Sequence, residues 1–356
     1  MRGNDQNQSD LFHTFSVEER IPDGHPLRRI RGICEDAFKS LEAVFESMYS
    51  DTGRPSIPPE RLLKSQILMA LYSVRSDEQF CEMLNYNILF RWFLGMSMSE
   101  RVFDRSSFSK NRERLICNEV GREFLAAVVS LARDEKLVSD EHFTVDGTMI
   151  EAWASFKSFQ PKEEGSRSKD KNDRNPDVDF RGQKRSNDTH ESSTDSDSRL
   201  YKKGPGKESK LAFIGHSLME NRSGLIVDAL VTPANGSAER EAALAMLDRQ
   251  EIEGATLGAD KGYHAEEFIK ELRRRKIVPH IAFNQGRRGL DARTTRHKTY
   301  QVSQRKRKLV EQGFGWLKTI GGLRKTTQRG TAKTDYTFSM RAAVYNIMRL
   351  LTLCPA

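Results

Sequence analysis

Between residues 26 and 135 the apolar positions recur at helical spacing. In "GRPSIPPERLLKSQILMALYSV" prolines stand just ahead of Leu62, Leu63, Ile67, Leu71 and Val74, a pattern that marks the start of an amphipathic helix. "DEQFCEMLNYNILFRWFLG" continues in the same manner, with Gly95 as its C-terminal stop. "DRSSFSKNRERL" then offers Asp and Ser caps before a helix that carries Lys110, Arg112 and Arg114. That helix reads either as the recognition part of a helix-turn-helix-like module or as a solvated member of a bundle.

From His142 the period changes. "EHFTVDGTMIEAWAS" predicts a strand ending near Glu151, and "KLAFIGHSLMENRSGLIVDALVTP" predicts two strands joined by a turn at Asn221 to Gly224. "SAEREAALAMLDRQ" and "AEEFIKELRRRK" read as helices, "ATLGADKGY" and "IVPHIAF" as short strands, and "RKRKLVEQGFGWLK" as the next helix. The order strand, strand, strand, helix, strand, helix, strand, helix predicts a mixed α/β sheet with helices on its faces. Between the first and second strands, residues 157–209 are rich in Ser, Asp, Lys, Arg, Asn and Gly, with few large apolar side chains. They are expected to form a flexible polar insertion, because such a stretch buries too little surface to offset its ordering entropy. The expected division is a helical N-terminal part over 1–136 and an α/β part over 137–356.

Charge sharpens this picture. Residues 270–333 hold 19 Lys and Arg against Glu271, Asp291 and Glu311, a local excess of 16, whereas the whole chain carries a net +8. Such density suits a polyanion, because each cation set against a phosphate releases counterions; the bland alternative is a solvated basic face. Four cysteines without CxxC spacing indicate neither a disulfide framework nor a zinc site, and fit a reducing compartment. The N-terminus has no apolar leader and no run reaches the length of a membrane span, so a cytoplasmic protein is expected.

Three carboxylates stand where the predicted layout brings segments together: Asp146 in "FTVDGT", Asp260 in "LGADKGY" and Glu311 on the last helix. Taken singly, each has an ordinary reading, as a turn cap, a loop residue or half of a surface pair with Arg307. Together, two Asp on neighbouring strands and a facing Glu form an oxygen-only donor set suited to magnesium or manganese. At 100° per residue Arg307, Glu311, Gly315 and Lys318 fall on one helical stripe, beside an apolar stripe of Val310, Phe314 and Leu317. Gly315 on the polar stripe suggests that another backbone, such as that of DNA, approaches there.

The motifs "FTVDGTMIEAWAS", "GHSLMENRSGLIVDALVTPANGSAERE", "LGADKGYHAEEF" and "SQRKRKLVEQGFGWLKTIGGLRKTTQRG" together resemble the bacterial insertion-sequence transposases of the DDE type, in the "insertion sequence five" group. The likeness runs from about Pro22 to Leu350 and includes "DGHPLR" and "SIPPERLLKSQILMALYSVRSDEQF". It implies a ribonuclease-H-like catalytic domain with a helical N-terminal DNA-binding domain. It also implies a triad of Asp146, Asp260 and Glu311 that binds two Mg²⁺ or Mn²⁺ ions. The family pattern of Tyr, two residues, Arg, three residues, Glu, six residues, Lys falls on Arg307, Glu311 and Lys318; Gln304 stands at its Tyr position, and Tyr300 lies four residues earlier.

The implied reaction is hydrolysis of a phosphodiester at each element end, followed by attack of the freed 3′ hydroxyl on target DNA. Arg307, Lys318, Arg305, Lys308, Arg324, Lys325, Lys110 and Arg112 are the expected DNA contacts. His216 and Lys261, close to the motifs, are weaker candidates, His216 reading rather as a strand residue. The implied partners are double-stranded DNA and a second copy of the chain, in the bacterial cytoplasm at the nucleoid. Two other readings share these residues: a transposase-derived DNA-binding regulator, and a metal-dependent nuclease that cleaves without joining. A pure binder has no physical need for three converging carboxylates beside phosphate.

Overall fold

Proline and polar caps start the N-terminal helices. The computed structural model describes residues 16–355 apart from 51, 54–55, 163–177, 181–182, 203 and 205. Helix α1 (Pro26–Lys39) opens with proline in its first turn and buries Leu27, Ile30, Cys34 and Phe38, one stripe of a 3.6-residue period. Helix α2 (Pro59–Leu71) is buried on every side from Leu62 to Ala70, as the central helix of a bundle must be. Helices α3 (Asp77–Tyr86) and α4 (Ile88–Leu94) follow, and Gly95 ends α4 at φ +67°, the left-handed stop expected of it. Asp104 caps α5 (Arg105–Cys117) by accepting from the Ser107 amide at 2.9 Å, and α6 (Val120–Asp134) completes the set.

The strands are β1 (His142–Glu151), β2 (Lys210–Glu220), β3 (Ile226–Pro233), β4 (Thr256–Ala259) and β5 (Val278–Ile281). They lie in the order β5-β4-β1-β2-β3. The first three are antiparallel, and β4 and β5 run parallel to β1. This is the ribonuclease-H-like order. Helices α7 (Ala238–Arg249) and α8 (Glu266–Arg274) connect the later strands, followed by α9 (Lys298–Lys306) and α10 (Leu309–Lys318). β2 is buried from Leu211 to Glu220, since it is paired on both edges and covered on both faces.

A last helix, α11 (Thr331–Leu353), has no counterpart among the sequence expectations, and it ties the two parts together. Its Asn346 pairs with the Ile226 backbone of β3, accepting from N at 2.9 Å and donating to O at 2.8 Å. Its Tyr336 hydroxyl accepts from Gln66 of α2 at 2.9 Å, and its Asp335 meets Arg122 of α6 at 3.0 Å. The helical and α/β parts therefore share one apolar core.

The expected insertion is also tied down where it is described. Phe159–Pro161 pairs with His190–Ser192, and Arg199–Tyr201 shares an edge of β2 with β3. Phe159 and Leu200 are buried, and Asn187 holds the Leu200 backbone at both N (2.7 Å) and O (2.9 Å). Asp197 accepts from the Thr331 amide at 2.8 Å and so caps α11. Side-chain to backbone bonds thus hold parts of a segment whose composition alone predicts a loop; residues 163–177, 181–182, 203 and 205 of the expected insertion lie outside the described ones.

Candidate active site

Asp146 sits in the middle of β1. The parallel register with β4 pairs His142 with Thr256 and Thr144 with Gly258; continued two residues, it brings Asp146 level with Asp260 just past the end of β4. The Asp146 Oδ1 accepts from the Gly147 amide at 2.8 Å, and Asp260 Oδ1 accepts from the Gly262 amide at 2.7 Å. Glu311 lies in the first turn of α10, which is anchored by buried Val310, Gly313, Phe314 and Leu317. The expected apolar stripe is present, and Glu311 is exposed beside it.

These acids act on one another. The Asp146 carboxyl is raised to about 6, by burial first and then by the charges of Asp260 and Glu311, while the Gly147 amide and the Arg307 guanidinium oppose the rise. Among the described residues no group of three His, Cys, Asp or Glu side chains is assembled to hold a metal ion. The three acids thus share a field rather than a closed coordination sphere. The donor chemistry still fits a hard divalent cation: oxygen-only groups, mutual repulsion, and one member that resists ionising until a positive charge arrives.

Several expectations change in detail. The helix predicted to run through Arg305 to Lys318 is broken at Arg307 and Lys308, where the Val310 amide bonds Arg307 O at 3.2 Å and the Glu311 amide bonds Lys308 O at 3.1 Å. Arg307 therefore sits at the junction of α9 and α10 rather than one turn below Glu311 on the same helix. Its Nε is buried with no hydrogen-bond partner among the described residues. At Gly315 no protein atom would lie within 4 Å of an added Cβ, so no backbone of this chain approaches there. Arg112, expected on DNA, is buried and bonded to Asp77 of α3 at 2.7 and 2.8 Å; its charge is already neutralised inside the fold.

The other basic candidates differ in exposure. Lys110, Arg305, Lys308, Arg324 and Lys325 are exposed, and Lys318 is half-buried. Arg305 and Lys308 line a groove of about 350 Å³ with Val302, Lys306, Leu309 and Gln312. Lys325 Nζ lies 5.3 Å from the centre of the Trp153 ring. Gln304 donates to the His280 carbonyl, and the Tyr300 hydroxyl donates to Ile281 O at 2.9 Å and accepts from the Phe283 amide at 3.2 Å. Tyr300 is thus engaged with the end of β5. His216 is a buried strand residue whose Nε2 pairs with Thr232 Oγ1 at 2.8 Å, and burial pushes it down to about 3. Lys261 is exposed.

Two neighbours of the site escaped sequence reasoning. A Cβ at Gly147 would come within 2.7 Å of Glu239 Oε1, so this acid from the first turn of α7 leans on the strand beside Asp146. Tyr263 is fully buried, and its hydroxyl has no hydrogen-bond partner among the described residues. Its pKa is pushed well up by burial and then by Glu239, Asp146 and Asp260. The only signal was position: both lie inside motifs quoted for other reasons.

The sheet order, with one acid in β1, one after β4 and one on a following helix, defines a ribonuclease-H-like domain of the DDE kind. The chain belongs to the Transposase DDE domain family, whose model matches residues 140–347. A second model, Transposase domain (DUF772), matches residues 15–114. No protein among those with curated descriptions matches the chain. The piggyBac transposase synaptic complex with hairpin DNA is a similar solved structure, with 10% identity and a TM-score of 0.41, covering 92% of this chain and 76% of that one. The Mos1 transposase paired-end complex with left transposon end has 11% identity and a TM-score of 0.20, covering 87% and 84%. The mariner Mos1 paired end complex with Mg has 12% identity and a TM-score of 0.20, covering 94% and 98%. Among the described residues no helix is long and apolar enough to cross a membrane.

Proposed function

We propose that the chain cuts DNA at the two ends of a mobile element and joins the freed 3′ ends to target DNA, as a bacterial transposase of the insertion sequence five group. The observation that carries this reading is Asp146: a half-buried carboxyl raised to about 6, with Asp260 and Glu311 acting on it and Arg307 as its counter-charge. Asp146, Asp260 and Glu311 are the residues that hold two Mg²⁺ or Mn²⁺ ions. When bound, the ions supply Lewis acidity to the attacking oxygen and stabilise the leaving oxygen of an in-line displacement.

The rest is done by the chain. Asp146 stays poised because the Gly147 amide fixes one carboxylate oxygen, and the Gly262 amide does the same for Asp260. Arg307 and Lys318 hold phosphates near the scissile bond, and Arg305, Lys308, Arg324 and Lys325 carry the flanking backbone. The helices of residues 1–136, with Lys110 exposed on α5, bind the terminal repeats, and residues 137–356 perform the chemistry. Two ends react together, so at least a dimer forms during the reaction. The setting of this work is the bacterial cytoplasm, at the nucleoid.

The test is incubation of the purified protein with magnesium and a fragment bearing the inverted repeats that flank its gene. Wild type is expected to cleave the ends and join them to target, and Glu311→Gln to do neither. Cleavage that survives in the Gln variant removes Glu311 from the site; cleavage by wild type without joining reduces the reading to a nuclease.

A further inference from the structure

The helical part and the α/β part meet at a crevice of about 50 Å³ whose lining includes Lys325 but none of the three acids. Four cations line it, Arg75, Arg112, Lys325 and Arg341, against the single carboxylate Asp77. Both oxygens of Asp77 already accept from the Arg112 fork. Arg341, on α11, donates from Nη1 to the Gln66 carbonyl at 2.8 Å. The Nε atoms of Arg341 and Arg112 are both buried without a hydrogen-bond partner among the described residues. Burial first, and then the Arg112 charge, lowers Arg341 to about 10, with no carboxylate among the groups acting on it.

A water molecule can satisfy a stranded N–H, but it leaves unbalanced the charge of Arg341, on which no carboxylate among the described residues acts. An anion does both. Arginine forks match the oxygens of a tetrahedral oxyanion, and Thr337 lines the same wall. The space admits a few water-sized groups, which suits a phosphate and excludes a base or sugar. We propose that this crevice is a phosphate-class oxyanion site bridging α2, α5, α11 and the segment after α10. That segment is fastened to the end of β1, the Thr326 amide bonding Glu151 O at 2.8 Å. The anchor point thus lies about 17 Å along the strand from Asp146, at ~3.4 Å per residue. A DNA backbone phosphate and free inorganic phosphate carry the same chemistry; the DNA source rests on the proposed function, the oxyanion site does not.

The test compares melting of the full chain in millimolar sodium phosphate and in sodium chloride of equal ionic strength, for wild type, Arg341→Met and the exposed-rim variant Arg75→Ala. Wild type is expected to melt about 2–4 °C higher in phosphate, with the rise lost in Arg341→Met and reduced in Arg75→Ala. Glu311→Gln keeps the full rise, which separates this site from the catalytic acids. If DNA is the occupant, either crevice variant also lowers the slope of log K against log salt for duplex binding by about one. An unchanged slope with the phosphate rise still lost assigns the site to free phosphate. Equal phosphate responses and equal slopes in wild type and both variants overturn it, and Arg75→Ala serves where Arg341→Met does not fold.

Discussion

Asp146 on β1 and Asp228 on β3 are carboxylates of one sheet, the first half-buried and the second buried, and burial raises both to about 6. They differ in company. Asp228 accepts from the Ala229 amide at 2.7 Å and from Arg249 Nη1 at 2.9 Å, and both Arg249 and Arg122 pull its pKa back down. Asp146 has a matching amide bond from Gly147, but Arg307 alone opposes two further acids. A raised pKa therefore does not by itself mark a reactive acid. The sign of the surrounding charges does: cations around Asp228 complete a structural pair, whereas acids around Asp146 leave a site that a cation would complete.

Asparagine at each position breaks the comparison most strongly. Asp146→Asn is expected to lower end cleavage by roughly 100- to 1,000-fold or more, since one preorganised electrostatic group is commonly worth that much. Asp228→Asn is expected to leave the rate near wild type. Gel-resolved cleavage of an end-bearing duplex checks both, and equal losses would erase the distinction. Binding of Mn²⁺ sharpens it without any reaction. At a hundredfold excess over Kd a ligand stabilises the folded state by about 2.7 kcal/mol. The melting rise is expected in wild type and Asp228→Asn and absent in Asp146→Asn; a full rise in Asp146→Asn would deny Asp146 a part in metal binding.

Asp146 and Asp260 drew notice in the sequence because each stands on or just after an apolar strand within two residues of a glycine, although Lys261 follows Asp260 directly. The acidic and apolar faces of α10 were legible from periodicity. The break at Arg307 and Lys308 was not, because the spacing of apolar positions continues across it. Burial of Arg112 was hidden as well: its partner Asp77 is 35 residues away, and a charge pattern says nothing of who pairs with whom. Glu239 reads as an ordinary acid in the first turn of a helix until the sheet brings Gly147 against it. The insertion misled for a related reason, since Asn187 and Asp197 hold it by hydrogen bonds that hydropathy does not register.

The pH dependence of stability tests the Asp228 half of the comparison. Its folded pKa of about 6 lies above the ordinary 3.8, so the fold favours the protonated form. That contribution is fully present below about pH 4 and is lost as the pH rises through about 6. Asparagine imitates the protonated form. Asp228→Asn should therefore melt with wild type near pH 4 and be more stable above pH 7 by about 1–3 kcal/mol. His216 and His280, lowered by burial to about 3 and 4, lose stability in the other direction as pH falls, and they cancel in the difference between variant and wild type. A variant less stable than wild type at pH 7 would mean that Arg249 outweighs burial.

The smallest effect concerns the residue after each acid. Gly147 and Ala229 occupy equivalent places, each donating its amide to the preceding carboxylate, at 2.8 and 2.7 Å. A methyl group is accommodated beside Asp228 and absent beside Asp146, where it would stand 2.7 Å from Glu239 Oε1. The opposing atom is the tip of a flexible side chain, so Gly147→Ala should cost no more than about 1 kcal/mol of stability. It should nevertheless slow cleavage by about 10-fold, because displacing Glu239 disturbs the acids around Asp146 and the Tyr263 hydroxyl among them. If Glu239 transmits the effect, Gly147→Ala combined with Glu239→Gln is no slower than the worse single variant. Multiplying losses in the double variant would show that the glycine acts on Asp146 directly.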